Sequence, residues 1–97
     1  MKRITFSWDD RKAKQNLKKH KVSFEEALTV FFDENAIEFF DPDHSIQEDR
    51  FVMLGISCRL RMLVVCYCFR REGGEIRIIS ARKTMSKERK VYTEGKR

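Results

Sequence analysis

The segment Leu60-Arg61-Met62-Leu63-Val64-Val65-Cys66-Tyr67-Cys68-Phe69-Arg70-Arg71-Glu72-Gly73-Gly74-Glu75-Ile76-Arg77-Ile78-Ile79-Ser80-Ala81-Arg82 decides the fold. Met62 to Phe69 is unbroken apolar sequence, so a strand over Leu60 to Arg70 has two buried faces and belongs inside a sheet. Gly73-Gly74 marks a hairpin turn, and Glu75 to Arg82 is its return strand. A two-residue loop over the glycines sets Glu72 opposite Glu75, Tyr67 opposite Ser80 and Val65 opposite Arg82. One face then carries Tyr67, Phe69, Ser80 and Arg82. The other carries Val64, Cys66, Cys68, Ile79 and Ala81; it is small and apolar, and is expected to receive the helices.

Two more strands precede this hairpin, Ala36 to Asp41 and Arg50 to Ser57, separated by the turn-forming Asp41-Pro42-Asp43. Before them the pattern is helical. Ile4 to Trp8 alternates as a short first strand, and Asp9 is a good N-cap for a helix reaching His20. Ala13, Leu17 and His20 fall on one face of it, with Lys12, Asn16 and Lys19 alongside. Ser23-Phe24-Glu25-Glu26 reads as a capping box with Val22 and Ala27 as its staple, opening a helix that buries Phe24, Ala27, Leu28 and Phe31. A polar helix from Ser86 to about Glu94 ends at Gly95. The expected fold class is α+β: one domain over residues 1–97, a curved, mostly antiparallel sheet with two N-terminal helices and a C-terminal helix, the helices mainly on one face.

The charge is organised in blocks. Residues 1–22 carry eight Lys or Arg against Asp9 and Asp10, residues 23–49 carry nine acids and no base, and residues 50–97 carry thirteen bases against four acids. Basic ends that meet in the fold make a cationic surface suited to a polyanion. No apolar run approaches the ~20 residues of a membrane-spanning helix. Charge at Asp9-Asp10 interrupts any signal-peptide core, so a cytoplasmic location is expected. Cys58, Cys66 and Cys68 are an odd number, and two of them share a strand face, which suits small buried hydrophobes better than a disulfide or zinc.

Three stretches resemble a known family. Phe6-Ser7-Trp8-Asp9, Lys12, Asn16 and Lys19-His20-Lys21-Val22-Ser23-Phe24-Glu25-Glu26-Ala27 are similar to the N-terminal signature of the BrnT toxins. Asp41-Pro42-Asp43-His44-Ser45 with Glu48-Asp49-Arg50-Phe51 is similar to that family's middle. Arg77-Ile78-Ile79-Ser80-Ala81-Arg82, Lys87-Glu88-Arg89 and Tyr92 resemble its C-terminal signature. Order and spacing hold over nearly the whole chain. Lys21 departs from the pattern, where a glycine is usual, and so does the Cys66-Tyr67-Cys68 interior.

The resemblance implies a RelE-like fold and an endoribonuclease toxin that cleaves RNA without a metal or other cofactor. It also implies a BrnA-like ribbon-helix-helix antitoxin, in a 2:2 complex that contacts DNA only through the antitoxin. RNA carries its own nucleophile, the 2′-hydroxyl. Cleavage needs that oxygen in line with the phosphate, cations against the developing charge, and proton transfer at two oxygens. Arg82 and Arg70, each at a strand end, are the candidates for the phosphate. The expected register sends Arg70 and Arg82 to opposite faces, and an ion pair with Glu88 is the alternative role for Arg82. His20 is the candidate for proton transfer, with a packed, half-buried histidine as the alternative. Lys12, Lys19, Arg59 and Arg61 are expected to guide the RNA backbone, and Tyr67 and Tyr92 either stack on bases or pack. Two rivals remain: a non-catalytic nucleic-acid-binding module using the same surface, and a metal-dependent nuclease built on Asp41, Asp43, His44, Glu48 and Asp49.

Overall fold

The computed structural model describes residues 3–95. Its strands are β1 (Thr5–Ser7), β2 (Ile37–Phe40), β3 (Arg50–Ile56), β4 (Met62–Arg70) and β5 (Glu75–Lys83). Its helices are α1 (Asp10–His20), α2 (Phe24–Leu28) and α3 (Ser86–Gly95). They form one sheet in the order β1-β5-β4-β3-β2, antiparallel except where β1 pairs β5. The apolar strand β4 is central, as its two buried faces require. Among the described residues no helix is long and apolar enough to cross a membrane.

The caps form where the sequence places them. The Asp9 carboxylate accepts from the amides of Arg11 and Lys12, and the Ser23 hydroxyl accepts from the amide of Glu26. The capping box is only half made, because the Glu26 side chain turns away from Ser23 toward Ser57 and Arg61. α2 is short and continues as a 3-10 turn, Thr29–Phe32, over the sheet. Gly55 permits that approach: a Cβ there would stand 2.8 Å from Val30 Cγ1.

α1 turns a different face inward than its apolar stripe suggests. Leu17 is half exposed, and the buried residue is Asn16. The reason is backbone pairing. β1 covers β5 only as far as Arg77, and beyond that the Asn16 amide satisfies the open edge. Its Oδ1 accepts from the Ala81 amide, and its Nδ2 donates to the Ala81 and Val22 carbonyls. An unpaired buried peptide costs more than an exposed leucine forgoes.

The hairpin register differs from the two-glycine expectation. Arg70 pairs with Glu75, so the loop is the four residues Arg71–Gly74, with positive φ at Arg71, Glu72 and Gly73. A bulge at Ile79 then shifts the pairing, setting Cys66 opposite Ser80 and Val64 opposite Arg82, while Tyr67 faces Ile78. This reverses the assignment of faces. Leu63 and Val65, with Ile78 and Ala81, pack under Phe24, Ala27 and Val30. Tyr67 lies on the same side, against Phe31. The aromatic face therefore takes α1 and α2. Val64 points the other way and joins Leu54 and Tyr92 in a second cluster. Hence α3 lies on the opposite face from the two N-terminal helices.

Candidate active site

Arg82 and Arg70 share the α3 face of the sheet. They stand at its two ends, opposite Val64 and Glu75 respectively. These positions are six residues apart along β4, roughly 20 Å at a strand's rise. One phosphate cannot meet both, so each belongs to its own site.

At the Arg70 end, four cations from four elements line a polar recess of about 100 Å³. They are Lys12 of α1, Arg50 at the start of β3, Arg70 at the end of β4 and Arg77 of β5, accompanied by Asp9 and Glu48. The sheet register makes the cluster: Arg50 pairs with Cys68 and Cys68 with Arg77, so the two arginines flank β4 on one face. Glu48 spans two of them. Its Oε1 lies 3.3 Å from Arg70 Nη2 and its Oε2 3.9 Å from Arg50 Nη2. Arg50 Nε is buried with no hydrogen-bond acceptor among the described residues. A buried donor in this state suits an anionic ligand. Beneath the recess, burial pushes the Cys68 thiol up and keeps it protonated. The Lys12 and Arg11 amides, with the charges of Lys12 and Arg77, hold the Asp9 carboxyl below its usual range against the opposing effect of desolvation. Four positive charges against two negative ones leave the recess net cationic.

At the other end, Arg82 is gripped rather than open. Both of its Nη atoms bond Glu88 of α3, at 2.9 and 2.7 Å. The pair holds Glu88 below the usual carboxylate range and ties α3 to β5. It forms part of the wall of a mainly apolar groove of about 430 Å³, with Phe39, Val52, Val64 and Val91 inside and the His44–Asp41 pair at its border.

The remaining sequence candidates fall elsewhere. His20 is half-buried in the last turn of α1, eight residues and roughly 12 Å along the axis from Lys12. It does not join Arg70. Lys19 and Arg59 are exposed away from the recess lining. Arg61 is a clasp: its Nε bonds Glu26 Oε2 at 2.9 Å and its Nη2 reaches Glu26 Oε1 and the Lys21 carbonyl. Tyr67 is fully buried and donates to Glu38, with desolvation raising its pKa. Tyr92 is buried, donates to Asp33 Oδ2 at 2.7 Å and is pushed up to about 12, chiefly by burial. Both tyrosines pack, and neither ring is presented to a base. Cys58 is exposed, against the expectation of a small buried hydrophobe; Cys66 is half-buried and Cys68 buried. Among the described residues no group of three or more His, Cys, Asp or Glu side chains is arranged to hold a metal, and this includes the Asp41–Asp49 stretch.

The sequence names Lys12 and Arg70 for RNA, offers Glu48 only to a metal cluster, and gives Arg50 and Arg77 no role beyond the family signatures. A signal was present: the two-glycine register itself sets Arg77 opposite Arg70. Two arginines facing each other across a hairpin repel unless an anion lies between them.

Residues 8–88 match the family model described as the ribonuclease toxin BrnT of a type II toxin–antitoxin system. The fold is similar to the crystal structure of the Brucella abortus ribonuclease toxin BrnT, with a TM-score of 0.65 and 20% identity over 86% of this chain and 99% of that chain. No curated protein matches the sequence.

Proposed function

The chain belongs to the BrnT family of ribonuclease toxins, and from that premise we propose that it acts as a single toxin domain, cleaving RNA at the recess formed by Lys12, Arg50, Arg70 and Arg77. The observation that carries this reading is the convergence of four cations on one small polar recess, with a buried Arg50 Nε in want of an acceptor. A phosphodiester supplies the oxygens such a cluster needs, and guanidinium forks grip two of them at once.

The nucleophile is the RNA 2′-hydroxyl, so the reaction requires no metal and leaves a 2′,3′-cyclic phosphate and a 5′-hydroxyl. Arg70 and Arg50 meet the phosphate charge as it develops. Lys19 and Arg59 are exposed outside the recess, and a part in guiding the RNA backbone would fall to them only beyond the cleaved bond. Arg82 and His20, which the sequence also nominates, stand outside this recess. Arg82 serves to anchor α3.

A type II system pairs its toxin with a protein antitoxin. For this chain we propose a BrnA-like ribbon-helix-helix protein, in a 2:2 complex that covers the cationic end of the sheet. Opposite charge would speed its capture.

The test uses purified protein and single-stranded RNA, with and without ribosomes, in excess EDTA. Cleavage with a cyclic-phosphate end is expected, and a strand carrying 2′-deoxyribose at the cleaved position should stay intact. Binding without cleavage in both settings would make the chain a non-catalytic RNA-binding module, and activity abolished by EDTA would make it a metal-dependent nuclease.

A further inference from the structure

We propose that Glu48 is the general base of this recess, taking the proton from the 2′-hydroxyl. The inference rests on the ribonuclease reading above and adds to it the group that starts the reaction.

Two carboxylates line the recess, Asp9 and Glu48. Asp9 Oδ1 is committed to the amides of Arg11 and Lys12 as the cap of α1. Glu48 sits in the loop before β3 and touches Arg70 and Arg50 only through long contacts, 3.3 and 3.9 Å. A guanidinium has five N–H donors, so neither arginine is consumed by Glu48. Both retain donors for phosphate oxygens while the carboxylate stays beside them. That juxtaposition is what the first step needs: a proton acceptor within reach of the 2′-oxygen when the adjacent phosphate lies on Arg50 and Arg70. The histidines are placed elsewhere. His20 is at the far end of α1, and His44 Nδ1 is bonded to Asp41.

The step balances. The 2′-hydroxyl proton passes to a Glu48 oxygen, and the electron pair left on the 2′-oxygen forms its bond to phosphorus. The bond from phosphorus to the 5′-oxygen breaks and its electron pair stays on that oxygen. The leaving oxygen takes a proton from the ammonium of Lys12, the flexible cation of the same recess. Protonated Glu48 returns its proton through solvent to Lys12, and no further reactant enters.

The rival role for the same atoms is Glu48 as an internal stand-in for phosphate that RNA must displace. The two roles predict opposite results for Glu48→Gln, which keeps the shape and removes the charge. As a general base, Glu48 accounts for roughly 10²–10⁴ of the rate. Glu48→Gln should therefore lose that factor in kcat, with KM unchanged or lower because one negative charge has left the phosphate site. Glu48→Ala should be equally slow and should recover part of its rate in formate, whose carboxylate can occupy the emptied position. Glu48→Asp should fall between. RNA binding by each variant, measured by band shift, shows that the fold persists.

The readout is single-turnover cleavage of a labelled RNA, alone and with translating ribosomes. A Glu48→Gln variant that cleaves as fast as the parent or faster overturns the proposal in favour of the stand-in role, and so does a Glu48→Ala variant that formate leaves unchanged. Absence of cleavage by the parent protein in both settings would remove the ribonuclease reading and this proposal together. A parent that cleaves alongside an undiminished Glu48→Gln would remove only the role of Glu48.

Discussion

Arg70 ends β4 opposite Glu75 and bonds Glu48 at 3.3 Å, whereas Arg82, on the same face of the sheet, is held through both Nη atoms by Glu88. The first guanidinium opens onto a recess with three other cations, and the second is a clamp between β5 and α3. This contrast separates the two arginines experimentally. Arg70→Ala should cut RNA cleavage by ~10²–10³, the usual effect of removing one donor from a developing oxyanion. Arg82→Ala should leave cleavage within a few-fold and lower stability by about 1 kcal/mol, the upper end for a partly exposed but bidentate pair. Purified variants, assayed for cleavage and unfolded in urea, give both numbers. An Arg82→Ala protein of unaltered stability that no longer cleaves would return Arg82 to the chemistry.

A second prediction concerns salt. Cations that meet phosphates release counterions, and each contact contributes about −0.7 to the slope of log affinity against log salt for a single strand. Arg77→Ala should make the slope shallower by about that amount, and so should Lys12→Ala. Arg61→Ala should leave the slope unchanged, because its guanidinium is spent on Glu26 and the Lys21 carbonyl. Titrations of RNA at several salt concentrations check this, and an equal change for Arg61 and Arg77 would count against the recess.

What could be read from the sequence divides along the range of the interactions involved. The Asp9 and Ser23 caps, the core position of β4 and the helices after Asp9, Ser23 and Met85 depend on neighbouring residues, and all are found as expected. The register of the hairpin depends on Arg71 and Glu72 adopting left-handed conformations that nothing in their side chains announces, and on a bulge at Ile79. That register decides which residues share a face. From one hairpin come the misassigned open face, with Tyr67 placed on it, and the assignment of Arg70 and Arg82 to opposite faces. Lys12 and Arg70 were legible as charged residues at element ends. Arg77 was signalled by its place opposite Arg70 in the two-glycine register, but its meeting with Arg50 and Glu48 appears only once β3, β4 and β5 lie side by side. The inward turn of Asn16 was hidden for the same reason, since its partner is the backbone edge at Ala81.

Lys21 offers a third prediction. It follows α1 with φ 60° and ψ 32°, and its amide closes the helix on the Leu17 carbonyl. An L-residue in this conformation costs roughly 1 kcal/mol that glycine avoids. This explains why the family resemblance shows glycine at the position occupied here by lysine. Lys21→Gly should raise stability by about 0.5–1 kcal/mol, since the carbonyl that Arg61 uses is retained. Urea denaturation of the two proteins decides it, and a less stable Lys21→Gly protein would mean that the lysine side chain contributes something beyond its backbone.

The fourth prediction is acid sensitivity centred on Glu26. This carboxylate is only 5% exposed, yet it bonds Arg61 through both oxygens and accepts from the Ser57 hydroxyl at 2.6 Å. Arg61 first, and Ser57 after it, hold its carboxyl below the ordinary glutamate range despite the opposing effect of burial. The sign follows from linkage. A carboxyl with a lower pKa in the folded state binds fewer protons there than when unfolded, so folding is favoured above the unfolded value. That contribution is complete at pH values above about 4.5 and is lost as pH falls through the folded pKa. The clasp joins three separate elements, the turn after α1 at Lys21, the start of α2 and the loop between β3 and β4, so losing it should loosen one whole edge of the domain. Arg61→Ala should cost about 2 kcal/mol at neutral pH, the scale of hydrogen bonds to a charged group. It should also flatten the fall of stability on acidification, because Glu26 loses the partner that depressed it. Urea midpoints from pH 7 to pH 3 test both parts. If Arg61→Ala shifts the neutral midpoint but keeps the full acid slope, the slope arises elsewhere, and the Glu88–Arg82 pair, whose carboxyl is lowered in the same way, becomes the next group to examine.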